Sequence, residues 1–377
     1  MIYLDYSATT PIEDSVLDTY INVSKNFIGN ANSIHSLGIK SKELLNSATN
    51  QIANLLNVKP SEIIYTSGAT EANNLALKGI AFNYKNRGKH IISTPLEHSS
   101  VSETLKYLNS IGYKISYVKI LENGLIDIED LIRLITDETI LISIGYVNSE
   151  LGIKQNIEEI SRIIKNYPKT FLHIDGTQAI GKINVDLTNI DLFSFSSHKI
   201  YGPKGIGCLI KKDKISLTPL MHGGKSESPF RSGTPSLPLI VSLAKALRLA
   251  LENLNQKYEI VNNLNNKIKE NLKKYNKITI NSNENCIPHI LNISLENIRP
   301  ETFIHAMEEY NVFIATKSAC SNPNEPSTTL KAMNKNDKIS TTSIRISISN
   351  KTTLKEIEEF NQIFDQVYNK LNSIKGE

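Results

Sequence analysis

Short apolar runs alternate with helix-like stretches between residues 62 and 196 of this chain, and that alternation restricts it to few folds. Glu62–Thr66, Lys89–Ser93, Tyr113–Ile120, Thr139–Ile144, Phe171–Asp175 and Asp191–Ser196 read as strands rich in Ile, Phe and Tyr. Between them lie the helix candidates Glu71–Ile80, Ile128–Ile135 and Ile157–Lys165, the second opened by Asp127 as an N-cap. Parallel strands need long crossovers, so strands spaced by helices predict an α/β fold, a mostly parallel sheet with helices on both faces. Ligands in such folds gather at the carboxyl ends of the strands.

At roughly 150 residues per domain, a chain of 377 residues holds about two domains. The texture changes near Leu239, where Leu239, Ile240, Leu243, Leu247, Ala250 and Leu254 recur at helical spacing. Strand-like stretches follow at His289–Ser294 and Ser343–Ser349, with a helix expected over Thr302–Tyr310. We therefore expect a large domain over residues 16–250 and a smaller α+β domain built from 1–15 and 251–377.

Charge and cysteine content narrow the function classes. Lys and Arg number 42 against 38 Asp and Glu, without a dense basic stretch, which argues against nucleic acid as a direct partner. Lys245 and Arg248 interrupt the most apolar run, Leu237–Leu251, well short of the about 18 uncharged residues a membrane span needs. The first residues carry no basic, then apolar, leader pattern, so a cytoplasmic protein is expected. Cys208, Cys286 and Cys320 are odd in number and widely spaced, suiting neither a disulfide framework nor a metal cluster. No metal is expected.

Three strand ends carry chemistry. Ser67-Gly-Ala-Thr-Glu71 joins a strand to a helix, where free N–H groups favour a phosphate and the small Gly68 and Ala69 allow close approach. Asp175 ends an apolar strand, where a carboxylate must be paired; a helix cap, a metal and a protonated ring nitrogen all satisfy that need. Ser196-Ser-His-Lys199 leads into a glycine-rich turn, and a largely desolvated Lys199 there could support Schiff-base chemistry. The turn lacks the G-K-[ST] ending of a P-loop. A phosphate cradle, an acid for a pyridinium and a lysine for an aldehyde are together the parts of a pyridoxal phosphate site.

The chain resembles the cysteine desulfurases of the fold-type I, class-V aminotransferase group nearly end to end. The resemblance is carried by Tyr3–Pro11, Gly29-Asn30 with Ser33-Ile-His35, Thr66–Glu71, Glu97-His98, His173–Gln178, Ser194–Gly205, Arg231–Thr234, Ser318–Ser321 and Ser343–Arg345. It implies a seven-stranded sheet and a bound pyridoxal 5'-phosphate. Lys199 would hold the cofactor covalently and move protons at the substrate Cα, Asp175 would keep the ring nitrogen protonated, and His98 would stack on the ring. By the same resemblance Gln178 bonds the ring hydroxyl, while Ala69, Thr70, Ser196 and His198 lie at the phosphate. Thr234 would reach the phosphate of a neighbouring subunit, implying a homodimer. Asn148 and Arg345 would hold the substrate carboxylate, a group that a guanidinium binds bidentately.

Cys320 decides the activity. The segment Lys317–Pro326 is polar and rich in Asn and Pro, the composition of an exposed loop, and Lys317 would favour the reactive thiolate. The implied reaction takes sulfur from L-cysteine onto Cys320 as a persulfide, releases L-alanine, and passes the sulfur to an acceptor protein for iron–sulfur cluster assembly, tRNA thiolation or thiamine biosynthesis, such as an iron–sulfur scaffold or a tRNA-thiolation enzyme. Cys208, in a strand, and Cys286, in a linker, are expected to be structural. A transaminase or selenocysteine lyase of the same fold is one rival; a catalytically silent sulfur-carrier subunit, which would not need Lys199, Asp175 and His98, is another.

Overall fold

Seven strands form the main sheet in the order Ile63–Thr66, Gly207–Lys211, Leu192–Ser196, Phe171–Asp175, Thr139–Gly145, His90–Ser93 and Lys114–Tyr117. This computed structural model describes residues 1–224, 228–316 and 326–373. Alternation along the strands sends side chains to two cores. Ile142, Ile144, Leu172, Ile174, Phe193 and Phe195 pack on one face against the helices Ser36–Leu56, Ile157–Ile164 and Leu237–Leu251. On the other face Leu141, Phe171 and Leu192 meet the helices Ala69–Asn83 and Ser99–Ser110. The predicted N-cap is present, Asp127 accepting a hydrogen bond from the Asp130 amide. Such a cap contributes about 1 kcal/mol.

The sheet departs from uniform parallel order at one place. Gly207–Lys211 runs antiparallel to both of its neighbours, returning from the turn after Lys199. Glycine is obligatory at its first position: a Cβ on Gly207 would lie 2.6 Å from the Gly68 backbone. Gly176 is required likewise, since a Cβ there would fall 1.8 Å from the Phe193 ring. Both glycines sit beside strand ends that carry candidate site residues.

A second, antiparallel sheet orders Ser343–Ser347, Ile290–Leu295 and Ile278–Ile280. The sequence reading missed Ile278–Ile280, a three-residue strand with two half-buried isoleucines and an exposed threonine, too short to establish a period. The expected helix over Thr302–Tyr310 begins instead at Pro300 and ends at Glu308, because proline suits the first helical turn, where its missing N–H has no partner to lose. Ile2 and Leu4 share a core with Val261, Phe303, Ile344, Phe360 and Phe364. The chain start also forms a short parallel ladder, Ile2–Tyr3 against Val312–Phe313. These pairings bring residues 5–10 over the carboxyl edge of the large sheet.

Candidate active site

A cavity of about 600 Å³ opens at the carboxyl ends of the central strands, a size typical of small-molecule sites. Ala69, Thr70, His98, Asn148, Asp175, Gln178, Ser196, His198, Lys199 and Arg345 all line it. Thr234 is exposed and outside this cavity. Cys320 and Lys317 lie outside the described residues. Cys208 is buried in its strand with its thiol pushed up by desolvation, and burial raises the Cys286 thiol to about 11, so neither is a thiolate at neutral pH.

Asp175 closes its strand with both oxygens satisfied. Oδ1 accepts from the Thr177 amide at 3.0 Å and Oδ2 from Asn73 Nδ2 at 2.8 Å. Each oxygen thus acts as an acceptor, and the carboxyl group lines the cavity. Asn73, fully buried on the helix Ala69–Asn83, also donates to Ser100 Oγ at 2.9 Å and accepts from Ser194 Oγ. Through Ser100 it reaches His98, whose Nδ1 caps the helix Ser99–Ser110 by accepting the Ser100 amide at 3.1 Å. That backbone donor fixes the neutral imidazole with its proton on Nε2. Burial lowers the His98 pKa, the Asp175 charge opposing and Lys199 adding to the effect, so the ring is neutral at pH 7.

Lys199, in the turn after Ser196, lines the cavity and is half-buried, more solvated than the sequence reading expected. Its ammonium donates to the carbonyls of Ser7 and Ala8, the latter at 2.8 Å. The neighbouring His198 is pulled down to about 4 by burial and by Lys199 and Lys204, and its Nδ1 pairs with Thr9 Oγ1 at 3.1 Å. The chain start thus acts as one wall of the site. Its stretch Tyr3–Pro11 was legible as a motif, but nothing in its spacing disclosed that it contributes carbonyls.

Arg345 is 1% exposed and donates to Ser149 O at 2.9 Å and Asp5 Oδ1 at 2.8 Å, while its Nε has no partner among the described residues. Asn148 is committed to its turn, accepting from the amides of Glu150 and Leu151 and donating to Leu96 O. Glu97, next to His98, is half-buried with its carboxyl turned into the protein; desolvation raises that carboxyl to about 8, so it is protonated at neutral pH. Its Oε1 accepts from Thr94 Oγ1 and the Gly145 amide. Asp5, Asn73, Ser100 and Glu97 are site residues to which the sequence assigned no role. Asn73 carried a usable signal, being a polar side chain among Ala72, Leu75 and Ala76 on a buried helix face.

The donor set suits pyridoxal phosphate. A helix N-terminus at Ala69, without a side-chain cap, stands beside Ser196, whose Oγ is 3.6 Å from a Cβ built on Gly68; amides and hydroxyls of this kind bind phosphate. A carboxylate, a neutral imidazole and a primary amine line the same cavity. Residues 2–360 match the family model described as Aminotransferase class-V.

The chain belongs to the class-V aminotransferase family. A curated relative, Cysteine desulfurase IscS of Buchnera aphidicola subsp. Baizongia pistaciae, is 41% identical over 99% of this chain and 94% of its own length. Among solved structures, a NifS-like protein superposes with a TM-score of 0.92 at 34% identity, covering 98% of this chain and 99% of that one. A second, titled SspA in complex with cysteine, gives 0.83 at 32% identity over 94% of this chain and all of that one. The observed sheet and its carboxyl-edge cavity are those of this fold-type I, class-V architecture.

Proposed function

We propose that this class-V protein is a pyridoxal phosphate-dependent cysteine desulfurase, acting on L-cysteine to give L-alanine and a persulfide on Cys320. The observation that carries the reading is a single cavity holding Lys199, Asp175, His98 and Arg345. Relatives named cysteine desulfurase over nearly the whole chain, and a structural neighbour with cysteine bound, support the substrate. When bound, pyridoxal phosphate supplies an electron sink for the carbanion left at the substrate Cα.

The chain's own residues do the rest. Asp175 would hold the ring nitrogen as an ion pair, strengthening that sink by on the order of several kcal/mol. Arg345, with Asn148 beside it, takes the substrate carboxylate. Lys199 carries a proton to and from the substrate Cα, and His98, its proton on Nε2, would stack on the ring. Gln178 would bond the ring hydroxyl, and Ala69, Thr70, Ser196 and His198 would hold the phosphate. The Cys320 thiolate attacks the substrate sulfur, the carbon–sulfur bond breaks, and a proton completes alanine. Sulfur leaves Cys320 for an acceptor thiol on a protein of iron–sulfur assembly or tRNA thiolation.

The functional unit in this reading is a homodimer in the cytoplasm, with Thr234 serving the partner's phosphate. No helix among the described residues is long and apolar enough to cross a membrane. We divide the chain into domains at 16–250 and 1–15 with 251–377; a core that joins Ile2 and Leu4 to Val261, Phe303, Ile344 and Tyr368 supports this, although Ile287, Ile290, Leu330 and Met333 pack with the large-sheet core. Lys199→Ala tests the reading: reconstituted wild type should trap the cofactor covalently on borohydride reduction and the variant should not. Equal trapping on another lysine would contradict it.

A further inference from the structure

Lys182 is a buried cation for which neither the sequence motifs nor the proposed reaction has a role. It follows Gln178 by four residues in a turn closed by i to i+4 hydrogen bonds, Ile180 N to Gly176 O and Ile183 N to Ala179 O. That spacing stacks the two side chains. Lys182 Nζ donates to Gln178 Oε1, and Gln178 Nε2 donates to Ser7 O at 2.9 Å. Both residues are buried, at 8% and 5% exposure.

A carboxamide has two ends of nearly equal shape, so its chemistry in a site depends on which end faces the ligand. Here both partners vote the same way. An ammonium can only donate, so the amide oxygen must turn to Lys182; a backbone carbonyl can only accept, so the N–H end must turn to Ser7. Ser7 O is also a partner of Lys199 Nζ. The donor end of Gln178 is therefore held beside the amine at which the cofactor attaches. Other charges around Lys182 are Lys199 and Arg345, with His289 also close enough to feel it.

We infer that Lys182 is a positioning residue: it locks the Gln178 amide with its N–H end toward the site, where an anionic ring oxygen would lie. This rests on the pyridoxal phosphate reading above. The arrangement leaves the cavity wall a donor at that point whether or not the ring is present. Burial, reinforced by Lys199 and Arg345, lowers the Lys182 amine to about 7; even uncharged, the amine retains N–H donors for Gln178 Oε1.

The test uses the reconstituted full-length holoprotein and two readouts other than turnover. One is the pH titration of the cofactor's visible absorption band; the other is cofactor affinity by equilibrium dialysis with pyridoxal phosphate. A donor on the ring oxygen weakens that oxygen's hold on the proton of the lysine linkage. Lys182→Met should then raise the titration midpoint by roughly one pH unit, equivalent to a tenfold change, and weaken cofactor binding. Lys182→Gln, which keeps a donor without the charge, should shift it less. In a Gln178→Leu background Lys182→Met should add little further shift, because the two act as a unit. An unchanged midpoint in both Lys182 variants, or full additivity with Gln178→Leu, overturns the inference even if stability falls. Failure of the wild type to develop any visible band with pyridoxal phosphate would instead defeat the functional reading itself, and this one with it.

Discussion

Asp5 and Arg345, 340 positions apart, form an ion pair at 2.8 Å that ties the chain start to the strand Ser343–Ser347 of the second sheet. The guanidinium is almost wholly buried and Asp5 is partly solvated, so the pair is one-sided: Arg345 needs its counter-charge more than Asp5 does. Asp5→Asn keeps the shape and removes the charge. It should lower stability by about 2 kcal/mol in urea melts. A carboxylate ligand such as L-alanine should then raise the melting temperature of the variant more than that of the wild type, since it repays the missing charge. Equal ligand-induced shifts would show that Asp5 does not burden Arg345.

His289 offers a pH prediction. Burial, with Lys182 adding to it, takes its pKa from the ordinary 6.5 to about 3, and its Nδ1 has no partner among the described residues. A base with a depressed folded pKa is neutral when folded, while the unfolded chain takes up a proton below pH 6.5. The stability contribution is therefore complete above pH 6.5 and is lost as pH falls toward 3. His289→Leu should flatten the stability curve between pH 6 and 4.5 by up to about 1.4 kcal/mol per pH unit relative to wild type. Parallel curves would contradict the assignment.

Glu97 has the opposite sign. Its folded pKa of about 8 lies above the ordinary 4.5. The neutral carboxyl is favoured in the folded state, so stability is complete below pH 4.5 and is lost as pH rises through 8. Glu97→Gln removes that titration. The variant should match wild type near pH 4.5 and exceed it by on the order of 1–3 kcal/mol near pH 8.5. Chemical denaturation at the two pH values decides it, and a variant less stable at pH 8.5 than at 4.5, relative to wild type, would refute a protonated Glu97.

The parts of the site set by strand ends were readable in the sequence. Asp175, Ser196 and the Gly68–Ala69 turn each end an apolar strand, and a sheet of this kind collects such ends along one edge. Long-range pairings were not readable. Nothing near Asp5 signals Arg345, and nothing near Ser7 signals Lys199, because a backbone carbonyl leaves no residue-type signature. The reversed strand Gly207–Lys211 was equally hidden, since an apolar run has the same pattern in either direction. The expected burial of Lys199 went too far: Ser197 and Ile200 on either side of the turn are buried, but His198 and Lys199 are half-buried.

Cys320→Ser separates binding from sulfur transfer. Cofactor affinity and the spectral response to L-cysteine should persist, while alanine formation falls by at least about 100-fold, since a hydroxyl is a far weaker nucleophile than a thiolate. Sustained alanine production by the variant would remove Cys320 from the reaction.

The central claim is tested most directly by incubating the pyridoxal phosphate-loaded protein with L-cysteine and a thiol reductant and quantifying every product. A cysteine desulfurase yields alanine and sulfide in equal amounts. Sulfide accompanied by pyruvate and ammonia, or no release of sulfur at all, would contradict the account.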